Sequence, residues 1–245
     1  LDVLLSKNTS LKIKKYFLGQ SSSTNAFINH ISNFTILQNA SLVVDKFQDL
    51  NQNFNISNES INQDSYSTYI SNTFTRSGLF TRNNIINNVK GENSHSELNG
   101  IFTPSNNEHI DNHTLINHLV PNCQSYENYK GIIQGNGVGV FNGKVIVHEN
   151  AQKIEAYQKN NNILLDHDSV IYSKPELEIY ADDVKCSHGS TTGQFNLDSI
   201  FYLRSRGISL KKAKELMILG FINEVIQKCN NTDFQDFIVE SLLKN

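Results

Sequence analysis

The sequence predicts a mainly β body followed by a small α-helical segment, and three observations carry that prediction. From Leu1 to about Phe195, short apolar bursts alternate with polar turns bearing Asn or Gly. No long amphipathic helical pattern interrupts this stretch, which argues for many short strands. After Phe195 the periodicity changes to helical spacing with recognisable caps. The expected division is a β body over 1–195 and a helical domain over 196–245.

In chain order, the bursts include Phe34 to Leu37, Leu42 to Val44, Ile132 to Ile133, Val138 to Phe141 and Val145 to Val147. Several place apolar residues at consecutive positions, as in strands covered on both faces or lying in parallel sheets. They recur irregularly, so a β-helix and a large sandwich both fit the pattern. The segment from about Phe47 to Thr75 is polar and Asn-rich, and reads as a long loop or a few poor strands. Asn196 to Arg206 reads as a short helix capped by Asn196 and ended by Gly207. Ser209 caps a second helix with Ala213, Leu216, Met217, Phe221, Val225 and Ile226 near one face. A third runs from about Thr232 to Leu243, where Phe234, Phe237, Ile238, Leu242 and Leu243 need an apolar partner within the chain or outside it.

Composition narrows the function classes. The 245 residues suffice for one large core, and the net charge of −3 gives no reason to expect nucleic acid or an anionic membrane as partner. Asn makes up roughly one residue in seven, far above ordinary usage. With abundant Ile and Lys, this fits AT-biased coding, and the bias falls most easily on loops. The three cysteines, Cys123, Cys186 and Cys229, are odd in number and form no CxxC pair. A reducing compartment therefore fits better than a disulfide framework. No apolar run approaches membrane-spanning length and no signal-peptide layout opens the chain. The first residue is Leu1, which reads as a fragment or processed chain.

Four motifs invite chemistry. The glycines of GNGVGVFNG, Gly135 to Gly143, suggest a phosphate loop, but a strand-like Lys144 to Val147 follows where a helix would have to open. Turns and bulges are the better reading. His109, His113 and His118 would suit zinc on a helix, yet their surroundings read as turn then strand. Asp182 and Asp183 could form an acid/base pair, but adjacent strand residues face opposite ways, so a turn role is preferred. The fourth is KPELEIYADDVKCSHG, Lys174 to Gly189. On one continuous strand, Glu178, Asp182, Cys186 and His188 would share a face, and thiolate, imidazole and carboxylate together can hold iron. The bland alternative for Cys186 is a small buried side chain; His188, flanked by Ser187 and Gly189, is poorly placed for a core.

The string from Lys174 to Ile208 closely resembles the most distinctive segment of the SufB/SufD family of iron–sulfur cluster assembly proteins. The resemblance extends through His113 to His118, Tyr129 to Ile133, Val140 to Val147, Ala151 to Leu165 and Lys212 to Ile226, and more weakly through Thr81 to Phe102. It covers roughly two-thirds of the chain. Gly189 follows the histidine where SufB-type chains carry glutamate, so the sequence is similar to the SufD branch. The SufB-type cluster-building cysteine falls near Gln158 to Asn162, which here holds no thiol. Further departures are Ser190 in place of the usual alanine and Leu164-Leu165-Asp166-His167 in place of a leucine-rich run. The family's N-terminal helical region has no counterpart in these residues.

The resemblance implies a right-handed parallel β-helix with a C-terminal helical domain. It implies a non-catalytic scaffold subunit whose β-helix pairs with SufB and whose C-terminal helices dock the SufC ATPase. It places His188 at the SufB interface as the metal or cluster ligand, with Cys186 as a secondary candidate. The cargo would be a transient iron–sulfur cluster or iron shared with SufB; flavin on the complex is left open, as is the choice between bacterial cytoplasm and plastid-type stroma. No Walker-type Gly-Lys-Ser/Thr loop occurs in the sequence. The rival expectation is an independent β-helix enzyme acting on carbohydrate, against which stand the absence of tryptophan and the central motif.

Overall fold

A computed structural model describes residues 1–19, 25–229 and 231–243. The strands are β1 (Asp2–Leu5), β2 (Ser10–Leu18), β3 (Phe27–Ile36), β4 (Ser41–Asp49), β5 (Phe54–Gln63), β6 (Thr68–Ser77), β7 (Phe80–Val89), β8 (His95–Phe102), β9 (His109–His118), β10 (Gln124–Ile133), β11 (Val138–Val147), β12 (Ile154–Leu164), β13 (Val170–Ile179) and β14 (Val184–Gly193). Three helices follow: α1 (Leu197–Ser205), α2 (Leu210–Ile226) and α3 (Thr232–Leu243). Odd-numbered strands stack in one seven-stranded sheet and even-numbered strands in the other, all in parallel. The chain thus winds as a parallel β-helix, contributing one strand to each sheet per turn. Residues a full turn apart are 26 to 32 positions apart, as in Phe54 opposite Phe80 and Val138 opposite Val170.

The corners explain where some of the asparagine goes. Asn8, Asn39, Asn51, Asn93, Asn107 and Asn122 all adopt positive φ between strands, where a short polar side chain tolerates the left-handed backbone. Asparagine also stacks within the strands, contrary to the loop expectation: Asn83 donates to Asn112 at 3.2 Å and Asn99 to Asn72 at 3.1 Å. Such rungs satisfy buried amides turn upon turn.

The Phe47–Thr75 region is β-helix and not loop. β5 alternates strictly, but its inward residues include Asn55, Ser57, Glu59 and Gln63. Glu59 is neutralised inside by Lys15 at 3.0 Å and Lys46 at 3.3 Å. The two bursts Val138 to Phe141 and Val145 to Val147 belong to one strand, β11. Gly135 turns the chain at φ +57°, and a Cβ on Gly143 would meet Gln158 Nε2 at 2.4 Å. These glycines serve a corner and a tight interior.

The helices close over one face of the even-numbered sheet. Tyr16, Phe47, Phe74, Ile101 and Lys130 form an in-register row on its outer side. Ile222, Val225, Ile226, Phe234 and Ile238 bury themselves against this surface, each fully buried side chain contributing about 1.5–3 kcal/mol. Lys130 Nζ donates to Phe221 O at 2.7 Å, and Arg76 Nε to Ser241 O at 3.0 Å. The apolar partner α3 requires is therefore the β-helix itself. Asn196 and Ser209 cap α1 and α2 as expected. On α2, Leu216 is exposed and Ile222 is buried instead, because the sheet-facing side lies toward the C-terminal half. The side chain of Leu243 lies outside the described residues. Among those described, no helix is long and apolar enough to cross a membrane.

Candidate functional site at the terminal rung

The expected shared face of Glu178, Asp182, Cys186 and His188 does not form. β13 ends at Ile179, the chain bends through Asp182 and Asp183, and β14 begins at Val184 in the opposite sheet. Glu178 instead pairs with Lys144 at 2.6 Å on the odd-numbered sheet. Asp182 and Asp183 take the turn role, with Asp183 accepting from Lys153 N at 2.6 Å. The adjacent carboxylates mark a corner.

Cys186 and His188 do share a side. Val184 and Cys186 pack against the interior cluster, and Ser190 Oγ lies 2.7 Å from Ser173 Oγ of β13. Even-numbered residues of β14 thus face the β-helix lumen, and strand alternation gives His188 the same side. Cys186 is half-buried, and burial pushes its thiol pKa up. A protonated, packed thiol is a poor ligand. His188 is exposed because β14 is the edge of its sheet, with no further strand above it among the described residues.

Beneath His188 the lumen is polar. Gln158 lies in register with His188, and Glu127 in register with Gln158. Gln158 Nε2 donates to Glu127 Oε2. Glu127 is wholly enclosed, and desolvation raises its pKa to about 7. Glu127 is not a candidate in the sequence, although inward Ser125 and Tyr129 flank it at two-residue spacing and mark its face. Beside the rung lies a cavity of about 440 Å³ lined by His188, Tyr126, Tyr157, Lys159, Glu224 and Lys228. Tyr126 and Tyr157 stack at 5.5 Å there.

The other candidates separate. His109 and His113 face outward on β9, while His118 faces the lumen. His113 bonds Asp111 at 2.8 Å beside Arg82; His118 is buried against Ser125 Oγ at 2.8 Å, its pKa lowered to about 4 by desolvation. Cys123 and Cys229 are buried, and burial pushes the Cys229 thiol up to about 12. Among the described residues, no three His, Cys, Asp or Glu side chains converge on a metal-sized site. His188 has no such group around it among the described residues.

The family model for the SUF system FeS cluster assembly SufBD core domain matches residues 2–221. The chain belongs to this family. It is a SufD homologue, 39% identical over 160 residues to the iron–sulfur cluster assembly protein SufD of Escherichia coli, covering 65% of this chain and 38% of that protein. A SufBD family protein of Synechocystis is 32% identical over 203 residues, 82% of this chain and 45% of the relative. The chloroplastic protein ABCI7 of Arabidopsis thaliana is 29% identical over 236 residues, 96% and 50%. The chain spans half the length or less of these SufBD relatives. The match reaches through the polar Phe47–Thr75 region, beyond the resemblance visible in the sequence, and does not favour the carbohydrate-acting alternative.

Proposed function

We propose that this chain is a non-catalytic scaffold subunit for iron–sulfur cluster assembly, offering His188 from its open terminal rung to a site completed by a SufB-type partner. The observation that carries the reading is an exposed imidazole on an edge strand with no metal-sized group of ligands around it among the described residues. A neutral imidazole is a borderline ligand for iron, and a thiolate from a partner edge would supply the softer donor. Cys186 remains the secondary ligand, reachable only if the rung loosens. Iron or a nascent cluster is cargo in this scheme, held while the two edges are together.

The terminal rung suits such a partner. β13 and β14 leave backbone donors and acceptors unpaired at both sheet edges, and Tyr172, Ile179 and Tyr180 are exposed along it. A second parallel β-helix would extend both sheets. α1 exposes Leu197 and Phe201 by 77% and 74%, an apolar face that suits docking of the SufC ATPase. Nucleotide-driven movement of that ATPase would then reshape the shared rung, provided nucleotide distinguishes two arrangements. The free cysteines and the relatives' bacterial and chloroplastic origins favour a reducing cytoplasm or stroma.

Anaerobic co-purification of the full-length protein with its SufB and SufC partners tests this. Wild type should yield a complex with iron and sulfide, and His188→Ala an intact complex depleted of both. Undiminished iron and sulfide in the variant would return His188 to a structural role, and no complex at all would remove the scaffold reading.

A further inference from the structure

The interior beneath His188 holds a pair of side chains that the proposed function does not use. Gln158 is buried, one rung below His188 and in register with it. Its Nε2 donates to Glu127 Oε2, while its Oε1 has no hydrogen-bond partner despite being buried. Burying an acceptor unpaired is costly, so this one calls for an occupant. Gly143 stands across the lumen, and any Cβ there would strike the Gln158 amide at 2.4 Å; the space for that amide is built in. The Glu127 carboxylate also fixes which end of the amide is which. Above its pKa of about 7 the carboxylate is ionised and accepts only, so Nε2 faces Glu127 and Oε1 is the end left over.

Parallel neighbours lie about 4.8 Å apart along the stack, within reach of a glutamine and an imidazole. We propose that Glu127 and Gln158 are positioning residues for His188: the carboxylate orients the Gln158 amide, whose Oε1 accepts the His188 ring N–H and so presents the other ring nitrogen to a metal. The arrangement is that of a metal-bound histidine held by a carbonyl behind it, where loss of the supporting group typically weakens metal binding about 10–100-fold. The metal part of this inference rests on the proposed function; the hydrogen-bond part does not.

The test is the tautomer of His188 in the full-length protein labelled with ¹⁵N-histidine, read above neutral pH from two-bond ¹⁵N–¹H couplings, with His188→Ala assigning the signal. Wild type should show a single tautomer. Gln158→Leu and Glu127→Leu should show a mixture, and Glu127→Gln, which keeps an acceptor oxygen for Nε2, should restore the single form. Broadening of the same signal by Co²⁺ should need about tenfold more metal in the two leucine variants. A mixed tautomer in wild type overturns the proposal without any variant having to fold, as does an unchanged tautomer in Gln158→Leu. A tautomer that responds while Co²⁺ never broadens His188 would uphold the positioning and count against His188 as a ligand.

Discussion

Glu127→Gln should convert a pH-sensitive interior into an insensitive one. The wild-type carboxyl is wholly enclosed, and its pKa rises from the ordinary 4.5 to about 7 because burial penalises the charge. A raised carboxyl pKa means the folded state binds more protons than the unfolded state between those values. Stability therefore falls as pH rises through that window, and levels off above the folded pKa. A shift of this size corresponds to about 3 kcal/mol, felt in full only above neutrality. The glutamine is close to isosteric and keeps an acceptor for Gln158 Nε2. Other groups titrate in the same range, notably His118, whose lowered pKa makes stability rise with pH from about 4 to its unfolded value. The diagnostic is accordingly the difference between variant and wild type in urea-denaturation free energy, followed from about pH 5 to about pH 8. That difference should grow in favour of Glu127→Gln by about 3 kcal/mol across the range. A difference flat with pH would refute the argument, showing that the carboxyl is either solvated or compensated by a cation.

The remaining expectations concern packing and charge. Phe234→Ala, at the centre of the helix-to-sheet contact, should cost about 3–5 kcal/mol by thermal or chemical denaturation; a loss under about 1 kcal/mol would mean the helices are loosely held. Gly143→Ala forces a methyl group onto Gln158 and the Phe141 ring and should destabilise by about 1–3 kcal/mol, checked by the same melt. Glu59→Gln leaves Lys15 and Lys46 enclosed without a counter-charge and should lose about 3–5 kcal/mol, partly recovered on raising pH as Lys46, whose pKa burial lowers, sheds its proton. No pH-dependent recovery would show the lysines to be solvated.

Much of the architecture was legible because it is written in local signals. The β-to-helix transition, the Asn196 and Ser209 caps and the Gly135 corner each follow from one to four neighbouring residues. What escaped the sequence depends on partners a full turn away. Glu59 looks like a loop residue until Lys15 and Lys46, on other strands, close around it. The pairing of Glu127 with Gln158 crosses 31 positions, so neither residue carries a local mark of its partner. The misplaced Glu178 has the opposite lesson. Asp182 and Asp183 read as a turn, and a face assignment that runs through them treats a broken strand as continuous. A corner changes the sheet, and parity counted across it has no meaning.

Two histidines of equal parity show how position in the stack governs chemistry. His118 and His188 both stand on strands of this β-helix and both face its lumen. His118 has strands on either side of β9, so it is sealed, satisfied by Ser125 on one nitrogen and held neutral far into the acid range. Nothing of that kind can be a shuttle for iron, since the ion would have to enter a desolvated core. His188 has one neighbouring strand and an open side, so the same inward direction that buries His118 brings His188 to an aperture. The fold needs no special loop to expose it; ending the stack is enough. In the function proposed above, the remaining coordination of His188 would come from whatever caps the stack, which ties the proposed site to a partner.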